Sequence, residues 1–351
     1  MWTFPKFLVR ANGLTSAALL VVAFATFAAK CTPAQNTPLI SGGAEFLTNT
    51  KGGSTSYIAT VQPLIAAPLG PHLLVEGRAA FLQDFYPKGA GQTGYGRLHF
   101  SALTYLQLNY LAGSHLTVVA GEFLTPFGTY NERQTPIWIS NFQDAPLIFN
   151  LGVGTGSSVG GMLRGSAIST PKFSIDYAAY YSAASSNPSF HSRHAWGGRA
   201  SVYIPQKRLE FGTSYARLTN KTAAIDIGAH LWWEPENIPI KLRSEYARGA
   251  HSQGYWVETD YRFTRSVGAD TVLGRVEPVV RWQQTFRNSP SSTDGLPSAD
   301  TQRVDGGLDF HLPHEVRINT SYSRQLSSTG NTNIWETGIV YRFLFSTWRG
   351  K

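Results

Sequence analysis

The stretch GSSVG (Gly156 to Gly160) fits the G-x-S-x-G pattern in which a serine hydroxyl attacks a carbonyl carbon. That chemistry needs the serine on a sharp turn from a strand into a helix. No helical periodicity follows Gly160, and the stretch reads instead as glycine-rich alternation leading into a strand. The nine histidines offer no His-x-x-x-His spacing on a helix, and His191 and His194 fall in a loop-like segment, so no zinc-type ligand set stands out. The single cysteine, Cys31, forms no Cys-x-x-Cys-His motif, which excludes a covalently attached haem. The sequence thus gives no catalytic residue, no cofactor and no metal site.

Ionisable groups recur in a different pattern. In RLHFSALTYLQLNYL (Arg97 to Leu111), Leu98, Phe100, Ala102, Thr104, Leu106, Leu108 and Tyr110 alternate with Arg97, His99, Ser101, Leu103, Tyr105, Gln107 and Asn109. A strand sends alternate side chains to opposite faces, so one face is apolar and the other mostly polar. Comparable runs cover 38–49, 54–68, 72–86, 96–111, 115–127, 157–169, 173–183, 196–204, 208–219, 222–234, 238–248, 253–265, 273–287, 301–312, 315–326 and 333–345. These sixteen runs mostly exceed the 5–6 residues or so of a soluble strand and reach the roughly 9–11 that cross a bilayer. Their polar faces carry Glu76, Arg78, Arg97, Arg164, Asp176, Arg199, Lys241, Arg243, Glu258, Asp260, Arg281 and further charges, too many for a dry core. The fold these runs predict is a transmembrane antiparallel β-barrel of about 16 strands, apolar toward lipid and charged toward a hydrated lumen.

The connections agree. Leu69-Gly70-Pro71, Ala112-Gly113-Ser114, Pro205-Gln206-Lys207 and Pro313-His314 are tight, whereas Pro87–Tyr95, Thr129–Gly156, Ala184–Ala195 and Asn288–Asp300 are long and polar. Alternation of this kind marks periplasmic turns and extracellular loops. At the N-terminus, Lys6 and Arg10 precede the apolar run Leu14–Ala29 and a small-residue site near Ala34, the arrangement of a signal peptide over 1–34 ahead of a single barrel domain, 35–351. Its removal takes away Lys6, Arg10 and Lys30 and no acids, so the net charge of +8 falls to +5. The remaining basic residues are scattered singly, which argues against nucleic acid as a partner.

Three stretches carry a resemblance. GIVYRF (Gly338 to Phe343) resembles the Tyr-x-Phe signal that closes outer-membrane barrels, although the chain continues through Leu344-Phe345 to STWRGK. AGEFLTPFGTYNE (Ala120 to Glu132), and GYWVETDYRF (Gly254 to Phe263) followed by VEPVVRWQQTF (Val276 to Phe286), resemble the phosphate-selective porins of the O and P type. The resemblance implies a trimeric sixteen-stranded pore in the outer membrane of a Gram-negative-type bacterium, with its third external loop folded inward. It also implies outer-membrane lipid, lipopolysaccharide and the barrel-assembly machinery as partners. Acids and bases are about equally numerous on the inward face, so strong phosphate selectivity does not follow from these residues.

The function expected is a passive diffusion channel for small hydrophilic solutes or ions, anions such as phosphate included. The alternatives are a barrel-type hydrolase or protease, and a sheath or adhesin barrel without an open pore. The third external loop, 129–156, is the constriction candidate through Glu132, Arg133 and Asp144, with Ile137, Trp138, Ile139 and Phe142 as wall anchors; its other readings are an external flap and a trimer contact. Arg78, Arg97, Arg164, Arg199, Lys241, Arg243, Glu258, Asp260 and Arg281 complete the expected pore lining. Of these, Arg78, Arg164, Arg199, Arg243 and Arg281 either form a positive strip opposite Asp176, Glu258 and Asp260, or pair locally with neighbouring acids.

Overall fold

In the computed structural model, residues 38–89, 93–149, 156–183, 194–219, 224–268, 271–289 and 296–346 are described. The segment read as a signal peptide lies outside them. The strands are β1 (Leu39–Lys51), β2 (Ser54–Pro68), β3 (Leu73–Pro87), β4 (Tyr95–Leu111), β5 (Thr117–Leu124), β6 (Ser157–Ser169), β7 (Ser174–Ser182), β8 (Ala195–Ile204), β9 (Leu209–Leu218), β10 (Ala224–Trp233), β11 (Ile240–Arg248), β12 (Ser252–Tyr261), β13 (Val276–Arg287), β14 (Thr301–Leu312), β15 (Val316–Ser327) and β16 (Thr332–Ser346). Each pairs antiparallel with its sequence neighbours, and β1 pairs with β16 to close the barrel. Closure leaves no sheet edge without a neighbour, which is what allows strands to cross hydrocarbon. No helix among the described residues is long and apolar enough to do so.

The alternation sorts as the sequence predicts. Phe46, Val61, Phe81, Leu108, Phe211, Ile225, Ile227, Val280, Trp282, Trp335 and Ile339 are exposed on the outer face. The ladder matches outer residue to outer residue, as in Phe46↔Ile339, Ala44↔Val61 and Val61↔Phe81. The closing aromatics lie in the same ladder, Phe343 opposite Gly42 and Phe345 opposite Ile40, so pairing with β1 sets neither apart as the last position.

The alternation departs from the sequence reading in β4, and the cause is local. In β4, Tyr105 pairs with Arg78 but Leu103 pairs with Ala79, leaving Thr104 as an extra residue. A bulge of this kind reverses the faces of everything beyond it. Leu106, Leu108 and Tyr110 remain outside, but upstream of Thr104 the outer set becomes Tyr95, Arg97, His99 and Ser101. Arg97, expected in the pore, therefore lies outside it. It sits opposite Phe85 with its guanidinium 5.3 Å from that ring centre. Phe85 in turn pairs with Tyr57, whose ring contacts Phe46 and Tyr95 on the outer face.

The loop lengths separate less cleanly than the sequence suggests. Turns 52–53 and 249–251 are short at the loop end. At the turn end, the connection 262–275 is long because a helical turn, Thr264–Val267, and a 3-10 turn, Leu273–Arg275, fold it on itself, with the Thr264 hydroxyl donating to the Gly274 carbonyl (2.5 Å).

Candidate functional site

After β5 the chain turns into the lumen at Thr125-Pro126-Phe127-Gly128. Gly128 has a φ of +62°, and a β-carbon there would meet the Glu245 carboxylate at 2.7 Å, so glycine is required by both backbone and space. The Gly128 N–H donates to the Ser214 hydroxyl (3.0 Å), and Arg199 donates to the Gly128 carbonyl (2.5 Å). A short helix follows, α1 (Tyr130–Arg133). At its start, Glu245 Oε1 accepts hydrogen bonds from the Thr129 N–H, the Thr129 hydroxyl (2.7 Å) and the Tyr130 N–H (2.7 Å). A carboxylate there satisfies donors that have no partner within the helix.

From α1 the loop crosses the barrel and is tied down strand by strand. Arg78 of β3 donates to the Thr135 hydroxyl (2.9 Å), and Gln62 of β2 accepts from the Ile137 N–H (3.3 Å). Arg317 of β15 donates to the carbonyls of Ile137 (3.2 Å) and Ser140 (2.5 Å). Asn141 donates to Glu258 and Asp260 of β12 (both 3.2 Å), and Gln283 of β13 accepts from the Leu147 N–H (2.7 Å). The apolar side chains fit against the wall. Phe142 is buried, with the Arg281 guanidinium 4.6 Å above its ring, and Trp138 fills the space at Gly43, where a β-carbon would lie 2.7 Å from it. Tyr130 packs edge-on against Trp256 (5.9 Å) and Phe149 (5.1 Å) in a buried cluster with Phe123, Phe127, Ile148 and Met162. Ile139, expected as an anchor, is exposed.

This path divides the expected pore residues into two groups. On the wall from β11 to β14 the charges pair locally. Arg243 binds Asp260 and lies 3.5 Å from Glu258, and Lys241 lies 3.4 Å from both Asp260 and Glu277. Arg281 meets Asp305 at 2.9 Å and donates to the Asp144 carbonyl (2.9 Å), while Arg303 bridges Asp305 (2.5 Å) and the Asp144 carboxylate (2.7 Å). Arg243, Glu258, Asp260, Arg281 and Arg303 are all buried. Glu258 and Asp260 therefore share a wall with Arg243 and Arg281 instead of opposing them across the lumen.

On the other wall, Arg199 of β8 meets Glu132 at 2.7 Å and Arg164 of β6 approaches it to 4.0 Å. Arg133 forms a two-pronged contact with Glu210 of β9 (2.7 and 2.9 Å). Here two of the three cations keep contact with solvent: 38% of the Arg133 side chain and 39% of Arg164 are exposed, against 11% of Glu210 and 17% of Glu132, while Arg199 is drawn in at 14%. Glu245, Glu210, Arg303, Arg317, Gln62 and Gln283 hold the loop although no spacing singled them out. Their inward parity was visible, but the far end of each contact lies up to about half the chain away.

The GSSVG stretch opens β6 directly. The Ser158 hydroxyl shares a hydrogen bond with that of Thr125 (2.9 Å), and Ser157 donates to Glu122 (2.6 Å), so neither serine sits on a strand-to-helix turn.

No family model matches the sequence, and comparison with curated proteins finds no relative. The fold does have solved counterparts. The anion-selective porin from Comamonas acidovorans superposes with a TM-score of 0.57 at 11% identity, over 88% of this chain and 100% of that one. OmpF of Salmonella typhi, solved with daunomycin, gives 0.57 at 13% identity over 88% and 98%. A trimer form of OmpT, an outer membrane protein of Vibrio cholerae, gives 0.57 at 10% identity over 88% and 99%. At these identities the likeness establishes a shared sixteen-stranded architecture.

Proposed function

We propose that this chain is an outer-membrane porin, a passive channel for small hydrophilic solutes that carries out no chemical step. The observation carrying this reading is the loop from Thr125 to Phe149, which crosses a charged lumen and is fixed to opposite walls by named hydrogen bonds. A loop so fastened narrows the bore while leaving water along one side, where a few fixed charges set which ions pass. The solved barrels with the same architecture support it, since the Comamonas acidovorans one is described as an anion-selective porin. A homotrimer is the assembly proposed, on the example of the Vibrio cholerae barrel.

The reading extends to ion preference. Along the open wall Arg133 and Arg164 face water while Glu210 and Glu132 are drawn back; with Asp144 the exposed acid of the facing pair at 38%, two exposed arginines meet one exposed carboxylate among these loop pairs. The channel then favours small anions, phosphate among them, without a dedicated phosphate site. Planar-bilayer recording of the purified protein tests both statements. Stepwise ohmic conductance is expected, with a reversal potential in a potassium chloride gradient displaced toward that of chloride. Silence across repeated insertions removes the channel reading; a reversal potential at zero or toward potassium removes only the anion preference. Repeating the recording in potassium phosphate shows whether phosphate passes.

A further inference from the structure

The outer face carries almost no charge, and what it carries is arranged by sign and height. Following the ladder around the barrel, the charged residues on outward strand positions among the described residues are Arg97, Arg217, Arg248, Arg324 and one acid, Glu122. All four arginines lie within three residues of the loop end of their strands, and all are exposed. At the turn end, outward strand positions are apolar or aromatic, as at Leu73, Tyr110, Leu209, Trp233, Tyr261 and Phe343. None of the four arginines has a carboxylate within 4.0 Å among the described residues, in contrast to the paired arginines of the lumen.

Each arginine stands beside an aromatic ring. Arg97 lies over Phe85, Arg217 pairs with Trp196, Arg248 follows Tyr246, and Arg324 is flanked by Tyr322 and Trp335. Rings of this kind sit at the level of lipid headgroups, with hydrocarbon on one side and water on the other. Arg217 and Arg248 flank β10 opposite Ile225 and Ile227, two strand spacings across and two residues along, about 12 Å between backbones. At Arg324 the surface is concave: a groove of about 410 Å³ is lined by Thr50, Gly52, Tyr322, Arg324, Asn333 and Trp335. Arg324 donates there to the Asn333 side-chain oxygen, which orients the guanidinium and leaves other N–H groups available.

We propose that Arg97, Arg217, Arg248 and Arg324 bind phosphate groups of lipids in the outer leaflet, with the groove at Arg324 as one defined seat. A guanidinium offers parallel N–H donors that match a phosphate's oxygens, and an aromatic floor accommodates the sugar or acyl portion below it. Confinement of the arginines to one rim matches a membrane whose two leaflets differ in headgroup charge. A free anion would gain nothing from a position on the lipid side of the wall.

The full-length protein, purified in detergent, is incubated with bisphosphorylated lipid A and the bound lipid is counted by native mass spectrometry. In the triple variant Arg217→Gln, Arg248→Gln, Arg324→Gln the apparent affinity is expected to fall about tenfold or more, reflecting lost charge-assisted hydrogen bonds. Dephosphorylated lipid A should bind the native chain as weakly as the variant binds the phosphorylated form, and equimolar inorganic phosphate should not displace the lipid. The single variant Arg324→Gln, with a smaller loss, serves if the triple variant does not fold. Equal retention of lipid by variant and native protein overturns the proposal, as does equal binding of the dephosphorylated lipid or displacement by inorganic phosphate. These residues lie outside the lumen, so conductance is unchanged in the variants whichever way lipid binding falls.

Discussion

The two lumen walls are built from the same alternating sequence pattern, yet their charges live in different media. Under the crossing loop, Arg281, Arg303 and Asp305 are buried, both arginines bonded to the one carboxylate, and Phe142 closes over the guanidinium of Arg281. Across the lumen, Arg133 and Arg164 hold acids on one side and meet water on the other. The first arrangement anchors the loop; the second sets the electrostatic character of the passage. Burial raises the cost of breaking an ion pair, because the partner left behind is an uncompensated charge, whereas an exposed pair is screened and contributes little.

The largest expected effect falls on the buried wall. Asp305→Ala strands two arginines in place and is expected to cost about 3–5 kcal/mol, read as a lower unfolding midpoint in detergent. An unchanged midpoint would mean that water reaches this wall and that the two walls do not differ. Glu245→Gln comes next. It weakens the three hydrogen bonds at the start of α1, at a cost of about 1–3 kcal/mol, and should add rapid closures to the single-channel record as the loop loosens. A quiet record would show that the remaining ties suffice.

On the open wall the effect is on selectivity, with stability almost untouched. The variant Arg164→Gln, at the 4.0 Å pair with Glu132, should move the reversal potential toward potassium while changing stability by no more than about 1 kcal/mol. A large loss of stability without a shift would make this wall structural too. The smallest effect is expected for Arg97→Gln, which should leave the reversal potential where it is. A shift there would return Arg97 to the lumen and contradict the bulge at Thr104.

Much of this was legible from period-two alternation, since a strand reports the face of each side chain to anyone who reads every second residue. All sixteen runs became strands, most within two residues of the expected limits, and the ladder places Arg78, Arg164, Arg199, Lys241, Arg243, Glu258, Asp260 and Arg281 on the face opposite the exposed apolar side chains. The exception was Arg97. A single additional residue shifts the phase of all that precede it, and neither Leu103 nor Thr104 differs in type from its neighbours in a way that announces the bulge. The pairing partners were also hidden. Arg243 lies two residues from Glu245 in its own strand, but same-face neighbours along a strand lie farther apart than cross-strand partners, and it meets Asp260 and Glu258 of β12 instead.

The sequence alone determined the barrel, its strand number, and which face is wet, because those depend on local periodicity and on the rule that backbone groups in lipid must be paired. Only the tertiary structure decided which inward charges see water. That depends on where one loop lies, and the loop's course is set by contacts such as Thr129 with Glu245 and Asp144 with Arg303, between residues more than a hundred positions apart.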